Sequence, residues 1–275
     1  MKTSIIYILS FLTITFSQIV FCQNGEIRES KYSLAASLGI NDYHQRDKYL
    51  SPYIFNGSNF ASKLSFLIES ENSNHIMDAF FSYGALNSDI QPRYVRQHVA
   101  SLSYSYAHSI AATEFAGRPL QFSAGGGISS LLLYTDLNTT DETNYTKYDQ
   151  SWYWSHSANI ALSGGFELDE NKKLNIRITT PVIALISRPE NERWMSQKNS
   201  EVSDNYFEAA TQGRVEYFWN NLVLFTDIEY RQSISDNFDI LAAYRFGYIS
   251  SSRPASILAM GMYMNNLTIG VAWSL

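Results

Sequence analysis

Apolar and polar residues alternate with a period of two through most of the chain. Successive side chains of a strand point to opposite faces, so this period marks strands with one apolar and one polar face. The first such segment, near 31–40, carries Tyr32, Leu34, Ala36, Leu38 and Ile40 on one face. The second, near 59–69, carries Phe60, Leu64, Phe66 and Ile68, and the third, near 75–84, carries Met77, Ala79, Phe81 and Tyr83. A fourth spans 96–108 with Leu102, Tyr104 and Tyr106 in step, and a fifth spans 119–134 around Gly125-Gly126-Gly127. The sixth, 151–168, groups Trp152, Trp154, Ala158, Ile160, Leu162 and Phe166. The seventh, 173–186, groups Leu174, Ile176, Ile178, Val182, Ala184 and Ile186. Pro181 has no ladder donor, which predicts a bulge or bend in that strand.

Strand eight, 206–219, carries Phe207, Ala209, Val215, Tyr217 and Trp219, and strand nine, 222–231, carries Leu222, Leu224, Ile228 and Tyr230. Between them Asn220-Asn221 reads as a two-residue turn. Strand ten is 238–248, and strands eleven (257–264) and twelve (267–275) meet at Asn265-Asn266, a pair suited to a tight hairpin. The total is about twelve, and ten or fourteen also fit, because boundaries read from sequence shift by two to four residues. The connections alternate in length: 41–58, 85–95, 135–150, 187–205 and 232–237 are set against the generally shorter 70–74, 109–118, 169–172, 220–221 and 249–256. An even number of strands with alternating long and short connections predicts an all-β fold, a transmembrane antiparallel up-and-down β-barrel with its long loops outside the cell. A soluble β-sandwich gives no reason for that alternation.

The two ends bear on the address. Residues 5–21 form an apolar run after a single lysine, and Val20-Phe21-Cys22 offers a cleavage site, so residues 1–22 are expected to be an export signal peptide and 23–275 the barrel domain. A lipoprotein signal would use Cys22 too, but it requires a small residue where Phe21 stands. Cys22 is the only cysteine, so the exported domain has no disulfide framework. No later stretch is long and apolar enough for a transmembrane helix. The 19 Tyr, 16 Phe and 5 Trp favour strands and membrane interfaces. Trp152 and Trp154 fall at the outer end of strand six, and Trp219 and Trp273 at the inner ends of strands eight and twelve, as an aromatic girdle would. A net charge of −6 without a basic patch argues against nucleic acid as a partner and leaves outer-membrane lipids, with small solutes or an envelope protein as further partners.

If the apolar parity faces lipid, the other parity faces the lumen. That face holds Arg177, Glu208, Gln212, Arg214, Glu216, Asp227, Glu229, Arg231, Asp239 and Arg245, concentrated on strands eight to ten. A hairpin at Asn220-Asn221 would set Arg214 across from Asp227 and Gln212 across from Glu229. Two readings fit these charges: a constriction that selects solutes, or a self-neutralising network that fills a narrow barrel. The glycines at 125–127 and 164–165 mark either a barrel corner or a widened pocket. No catalytic constellation emerges. His98 and His108 share a face but stand about 33 Å apart along a strand, too far to share a metal ion. His156 and Ser157 are adjacent and point to opposite faces, which does not give a nucleophile its base. Asp141, Glu142, Glu190 and Glu192 read as solvated loop charges, and no cofactor is called for.

The closing strand resembles the C-terminal signature strand of bacterial outer-membrane proteins, although its last residue is Leu275 and not an aromatic. With Phe21-Cys22-Gln23, the segment 178–189 (ITTPVIALISRP) and the closing 271–275 (VAWSL), the chain resembles the uncharacterised outer-membrane β-barrel proteins of flavobacteria-like Gram-negative bacteria. The resemblance implies an architecture and a location in the outer membrane, and no activity. The function expected is a narrow channel for small solutes or an accessory barrel of an envelope complex. The alternatives are a barrel with a side-chain-filled lumen that binds a partner through loops 41–58, 135–150 and 187–205, where Tyr145, Tyr148, Trp152, Tyr153, Trp154 and Trp194 lie, and an outer-membrane lipid-modifying enzyme.

Overall fold

The computed structural model describes residues 30–48, 50, 53–88, 93–139, 150–189, 206–252 and 259–275. The signal segment 1–22 and loop residues Asp141, Glu142, Tyr145, Tyr148, Glu190, Glu192 and Trp194 lie outside the described residues. Ten antiparallel strands close on themselves: β1 (Lys31–Asp47), β2 (Phe55–Ser70), β3 (Ser73–Ser88), β4 (Arg93–Phe115), β5 (Arg118–Thr139), β6 (Gln150–Asp169), β7 (Lys172–Ser187), β9 (Asn221–Ser235), β10 (Phe238–Ser251) and β11 (Met260–Ser274). β11 pairs back onto β1, so the sheet has no free edge around its circumference. A short strand, β8 (Arg214–Tyr217), lies against the end of β7, and a one-turn helix, α1 (Tyr206–Ala209), precedes it. The barrel is the fold expected from the alternation, with the strand count at the lower bound.

Two expected hairpins are not hairpins. β8 and β9 run in the same direction along β7: Arg214 faces Ile186 and Tyr217 faces Ile183, while Phe225 faces Thr179 and Gln232 faces Lys172. Residues 218–220 loop out between two pieces of one interrupted strand, and Asn220-Asn221 reverses nothing. Asn265 and Asn266 sit within β11, which passes straight through them. Asn266 points inward and donates Nδ2 to the Ile40 carbonyl at 3.4 Å, while Asn265 accepts from the Tyr244 hydroxyl at 2.7 Å. Each of these readings added one false reversal, and the two cancelled in the parity of the strand count. Between them, however, the ends were exchanged, so the 236–237 turn joins the short connections and 252–259 joins the long ones.

At one end, then, every connection is a two-residue turn: 71–72, 116–117, 170–171 and 236–237. Ala116 and Gly117 have φ of 52° and 72°, the left-handed pair that a two-residue hairpin with primed geometry requires. The 170–171 turn is clasped by Lys172, whose Nζ donates to Asp169 at 2.8 Å, and by the Asn171 N–H at 2.9 Å. The hydrogen bond from Lys172, then that from Asn171, holds the Asp169 carboxyl below its ordinary range, so the clasp is present near neutrality and lost as acid protonates it.

The outer face is apolar. Ile269 is 67 % exposed and Leu38 60 %, values that suit hydrocarbon better than water. Aromatic rings bound this surface at both ends. Near the long connections Tyr83 contacts His98, which contacts Tyr134, and Tyr263 contacts both His44 and Tyr248. Near the turns lie Tyr32 with Phe66, His75 with Tyr104, and Trp273 beside Phe238. Ten residues of β11 separate Tyr263 from Trp273. At about 3.4 Å per residue and a tilt of about 40°, these rings are roughly 26 Å apart along the barrel axis.

Pro181 does mark a bulge. Ala158 faces Ile183 while Asn159 faces Pro181, so Val182 is an extra residue. The extra residue inverts the parity beyond it: Ala184 and Ile186, expected on the outer face with Ile178, turn into the interior. Disulfide trapping tests the β7–β8–β9 arrangement. In a Cys22→Ser background, Ile186→Cys with Arg214→Cys is expected to cross-link on oxidation, because directly paired Cα atoms are about 4.5–5.5 Å apart. Arg214→Cys with Asp227→Cys is expected to stay reduced, and its cross-linking would restore the hairpin.

Candidate functional site

The inward-facing rows differ along the axis. In the half nearer the long connections, every strand of the barrel contributes buried apolar side chains to one contiguous cluster. They include Tyr43, Phe55, Leu86, Val95, Val99, Leu133, Tyr153, Ile186, Val223, Ile249 and Met262. Leu50, from the β1–β2 connection, folds into the same cluster. Val95, Val99, Leu133, Ile249 and Met262 have no exposed surface at all. A thread of amides crosses this plug from β2 to β5. Asn59 donates to Gln97 at 3.1 Å, Gln97 to Gln45, and Gln45 to Thr135 at 3.3 Å. Beyond it, Arg188 pairs with Asp47 at 2.9 Å and Ser151 donates to the same carboxylate at 2.7 Å.

Below the plug the lumen turns ionic. Asp78 on β3 meets Arg177 at 2.6 Å and Lys63 at 3.3 Å. Asp227 on β9 meets Arg245 at 2.6 Å and Arg177 at 3.5 Å. Arg245 lies 4.0 Å from Asp78, which joins the two pairs into one cluster across the barrel. Closer to the turns, Arg231 lies 3.2 Å from Glu229 and 3.7 Å from Asp239. Four cations therefore face four carboxylates, and the network is neutral as a whole. Removing such charges from water is costly unless each is paired, and here each one is.

Two spaces remain. A vestibule of about 330 Å³ occupies the turn end and is lined by Lys63, Asp78, Arg177, Asp227, Glu229 and Arg231 among others. A chamber of about 70 Å³ lies between the ion cluster and the plug. The glycines divide the roles expected of them. A Cβ at Gly125 or Gly127 would fall on the carbonyl oxygen of Tyr106 or Tyr104, so the β4–β5 wall bends tightly there. Gly164 and Gly165 meet no such obstruction and line the vestibule.

Of the lumen residues expected from sequence, the structure brings Arg177, Asp227, Glu229, Arg231, Asp239 and Arg245 into the network. It does not bring the four from the expected strand eight. Glu208 is on α1, where Ala209 packs on Trp152. Trp152 therefore shares the outward parity of Trp154 but is covered by chain. Gln212 belongs to the turn closing that helix, through its N–H to Ala209 at 3.0 Å. Arg214 is exposed on β8, and Glu216 is buried beside it, accepting from Asn220 at 2.9 Å. The cause is shared: apolar residues at 207 and 209 imitate a strand, but the chain is helical there and joins the barrel only after Gly213. A Cβ at Gly213 would collide with the Ile186 carbonyl. Trp219 moves with this correction. It sits in the loop-out between β8 and β9, at the long-connection end, stacked on Tyr217 at 4.9 Å and edge-on to Phe218. Trp273 alone of the four girdle tryptophans is at the turn end.

Lys63 and Asp78 were not anticipated. Each is a lone charge at inward parity in an apolar strand, and that isolation is the signal available in sequence. His156 faces outward, its Nε2 2.8 Å from the Ala210 carbonyl, while Ser157 faces the lumen and donates to Asn159 at 2.9 Å. No group of three or more His, Cys, Asp or Glu side chains placed to hold a metal ion occurs among the described residues.

No protein-family model matches the chain, and no curated protein matches it. Solved structures do. The outer-membrane protease OmpT of Escherichia coli aligns over 89 % of this chain and 97 % of its own, with 10 % identity and a TM-score of 0.51. Neisserial surface protein A aligns over 90 % and 99 %, with 11 % identity and a TM-score of 0.37. The translocator domain of the autotransporter NalP from Neisseria meningitidis aligns over 99 % and 97 %, with 10 % identity and a TM-score of 0.38. At such identity the first of these establishes the barrel fold and nothing about activity.

Breaking the network should show its coupling. Asp78→Asn leaves three cations around one carboxylate and is expected to lower stability by roughly 3–5 kcal/mol. Adding Lys63→Met removes one unpaired cation, so the double variant should be more stable than the sum of the single losses by about 0.5–3 kcal/mol. Urea unfolding in detergent micelles measures the cycle, and simple additivity would show the two groups to be uncoupled.

Proposed function

We propose that this protein is an outer-membrane β-barrel whose lumen is closed by its own side chains, a non-enzymatic barrel that works by binding at its ends and not by conducting solutes. The observation that carries the reading is the plug, to which all ten barrel strands contribute buried apolar residues. A solute path would have to separate those side chains and then pass a neutral ion network that spans the barrel. The apolar outer face and its two aromatic rings, roughly 26 Å apart, suit a bilayer whose barrel band is about 25 Å tall. In that setting the two-residue turns face the periplasm and the longer connections face outward. The vestibule then opens on the periplasmic side, and the Tyr217-Phe218-Trp219 protrusion lies near the outer headgroups, within reach of an envelope partner. Against a lipid-modifying role, the His156 ring is turned to the opposite side of the wall from the Ser157 hydroxyl.

Planar-bilayer recording tests closure. Folded protein, verified by heat-modifiable migration on a gel, is expected to give no conductance steps; reproducible single-channel steps would overturn the closed reading. The membrane itself is tested by depth. Ile269→Lys, in the middle of the apolar band, is expected to cost about 2–4 kcal/mol of stability in lipid vesicles, and Ile110→Lys, beyond the turn-end ring, about 0–1 kcal/mol. Equal effects at the two positions would argue against a bilayer around this face.

A further inference from the structure

The chamber between plug and ion cluster has an unbalanced hydrogen-bonding capacity. Its volume of about 70 Å³ is room for on the order of five water-sized groups. One wall is built of small hydroxyl side chains, Ser101, Ser103 and Ser105 among them, and the other carries Arg177, Asp227 and Arg245. Asp227 has both oxygens engaged, Oδ1 accepting from Arg245 Nε at 2.6 Å and Oδ2 lying 3.5 Å from Arg177. The guanidiniums are less fully used. Arg245 makes no hydrogen bond through Nη1 or Nη2 to the described residues, and its Nη2 is 4.0 Å from Asp78. Arg177 Nη1 reaches only the Ser105 hydroxyl, at 3.5 Å. Phe80 and Phe225 each lie 5.7 Å from the Arg245 guanidinium and keep it from folding away.

The space is thus lined by two guanidiniums against one carboxylate, with unspent N–H and O–H donors and the charged acceptor already taken. Such a lining favours a guest that is anionic and rich in acceptors. We propose that the chamber is a binding site for a small oxyanion group of phosphate or carboxylate size, held by Arg245 and Arg177 and by the hydroxyls of β4. Arg177 and Asp227 line both the chamber and the vestibule, so the guest arrives from the turn end, past the Arg177 side chain. The site needs no conduction, and its test is independent of the bilayer recording.

Calorimetric titration of the full barrel in detergent, at constant ionic strength, uses inorganic phosphate, acetate and glycerol phosphate as probes. Saturable binding of phosphate or acetate is expected. Affinity should fall at least tenfold in Arg245→Gln. It should fall similarly in Ser103→Val, which fills the chamber and leaves every ion pair in place. Heat-modifiable migration shows that each variant is folded. Tighter binding of glycerol phosphate than of phosphate, lost in the same variants, also supports the site and identifies the oxyanion as the head of a larger molecule lying in the vestibule. No saturable binding by the unaltered protein, or the same affinity in Ser103→Val and Arg245→Gln, overturns the proposal.

Discussion

The seam between β1 and β11 is the contact on which everything else depends. Its register runs without interruption from Ser33 opposite Ser274 to Asp47 opposite Met260. In hydrocarbon an unpaired N–H or C=O costs several kcal/mol, so a sheet with two open edges has no stable place there, and a closed one has. Closure also fixes direction. Once the ring is shut, each residue faces either outward or inward, and the period of two written in the sequence becomes a division between two environments. Gly39 and Gly270 show how close the seam is: a Cβ at either would fall on the opposing strand's carbonyl, Leu267 or Ala36.

A ring of ten strands encloses enough space to need filling, and this chain fills it in two ways. Near the long connections the inward residues are apolar, so strands such as β5, with Leu131, Leu132 and Leu133 in succession, are apolar on both faces. Lower down the inward residues are long and charged and lean across from β2, β3, β7, β9 and β10 toward the small residues of β4 to β6. The two fillings support each other. The plug keeps bulk water from the outer half, and in the lower dielectric that results the ion pairs beneath it attract more strongly while tolerating an unpaired partner less well.

What was legible in the sequence follows from which constraints are local. The outward face was readable, since Leu267, Ile269, Val271 and Trp273 alternate within one strand and meet one environment. The bulge at Pro181 was readable from the missing donor, but its consequence, the inward turn of Ala184 and Ile186, depends on the single extra residue Val182. The false hairpins arose because a pair of asparagines is a turn signal only where the chain is free to reverse. At 265–266 the flanking strands β1 and β10 continue past the pair and hold it extended, and at 220–221 β7 offers the same edge to both β8 and β9. Asp78 escaped notice because its partner Arg177 lies 99 residues away in sequence and across the lumen in space, and Lys63 because it is drawn in only through Asp78. Ion pairing of that kind is a property of the closed ring and has no local signature.

The division of the lumen also decides where chemistry is possible. A group that enters from the outer side meets fully buried apolar side chains and gains nothing by displacing them. One that enters from the turn end meets charges, and most of those are already satisfied by one another: Asp78 has three cations near it, and Arg231 has two carboxylates. Among the described residues that line the chamber, unspent donors lie on Arg245 and Arg177, opposite the serine hydroxyls of β4. A neutral network with a local excess of donors can stay folded without a guest and still prefer an anion to water. That preference is set by the wall of serines opposite the guanidiniums, because larger side chains on β4 would have closed the space, and carboxylates there would have consumed the donors.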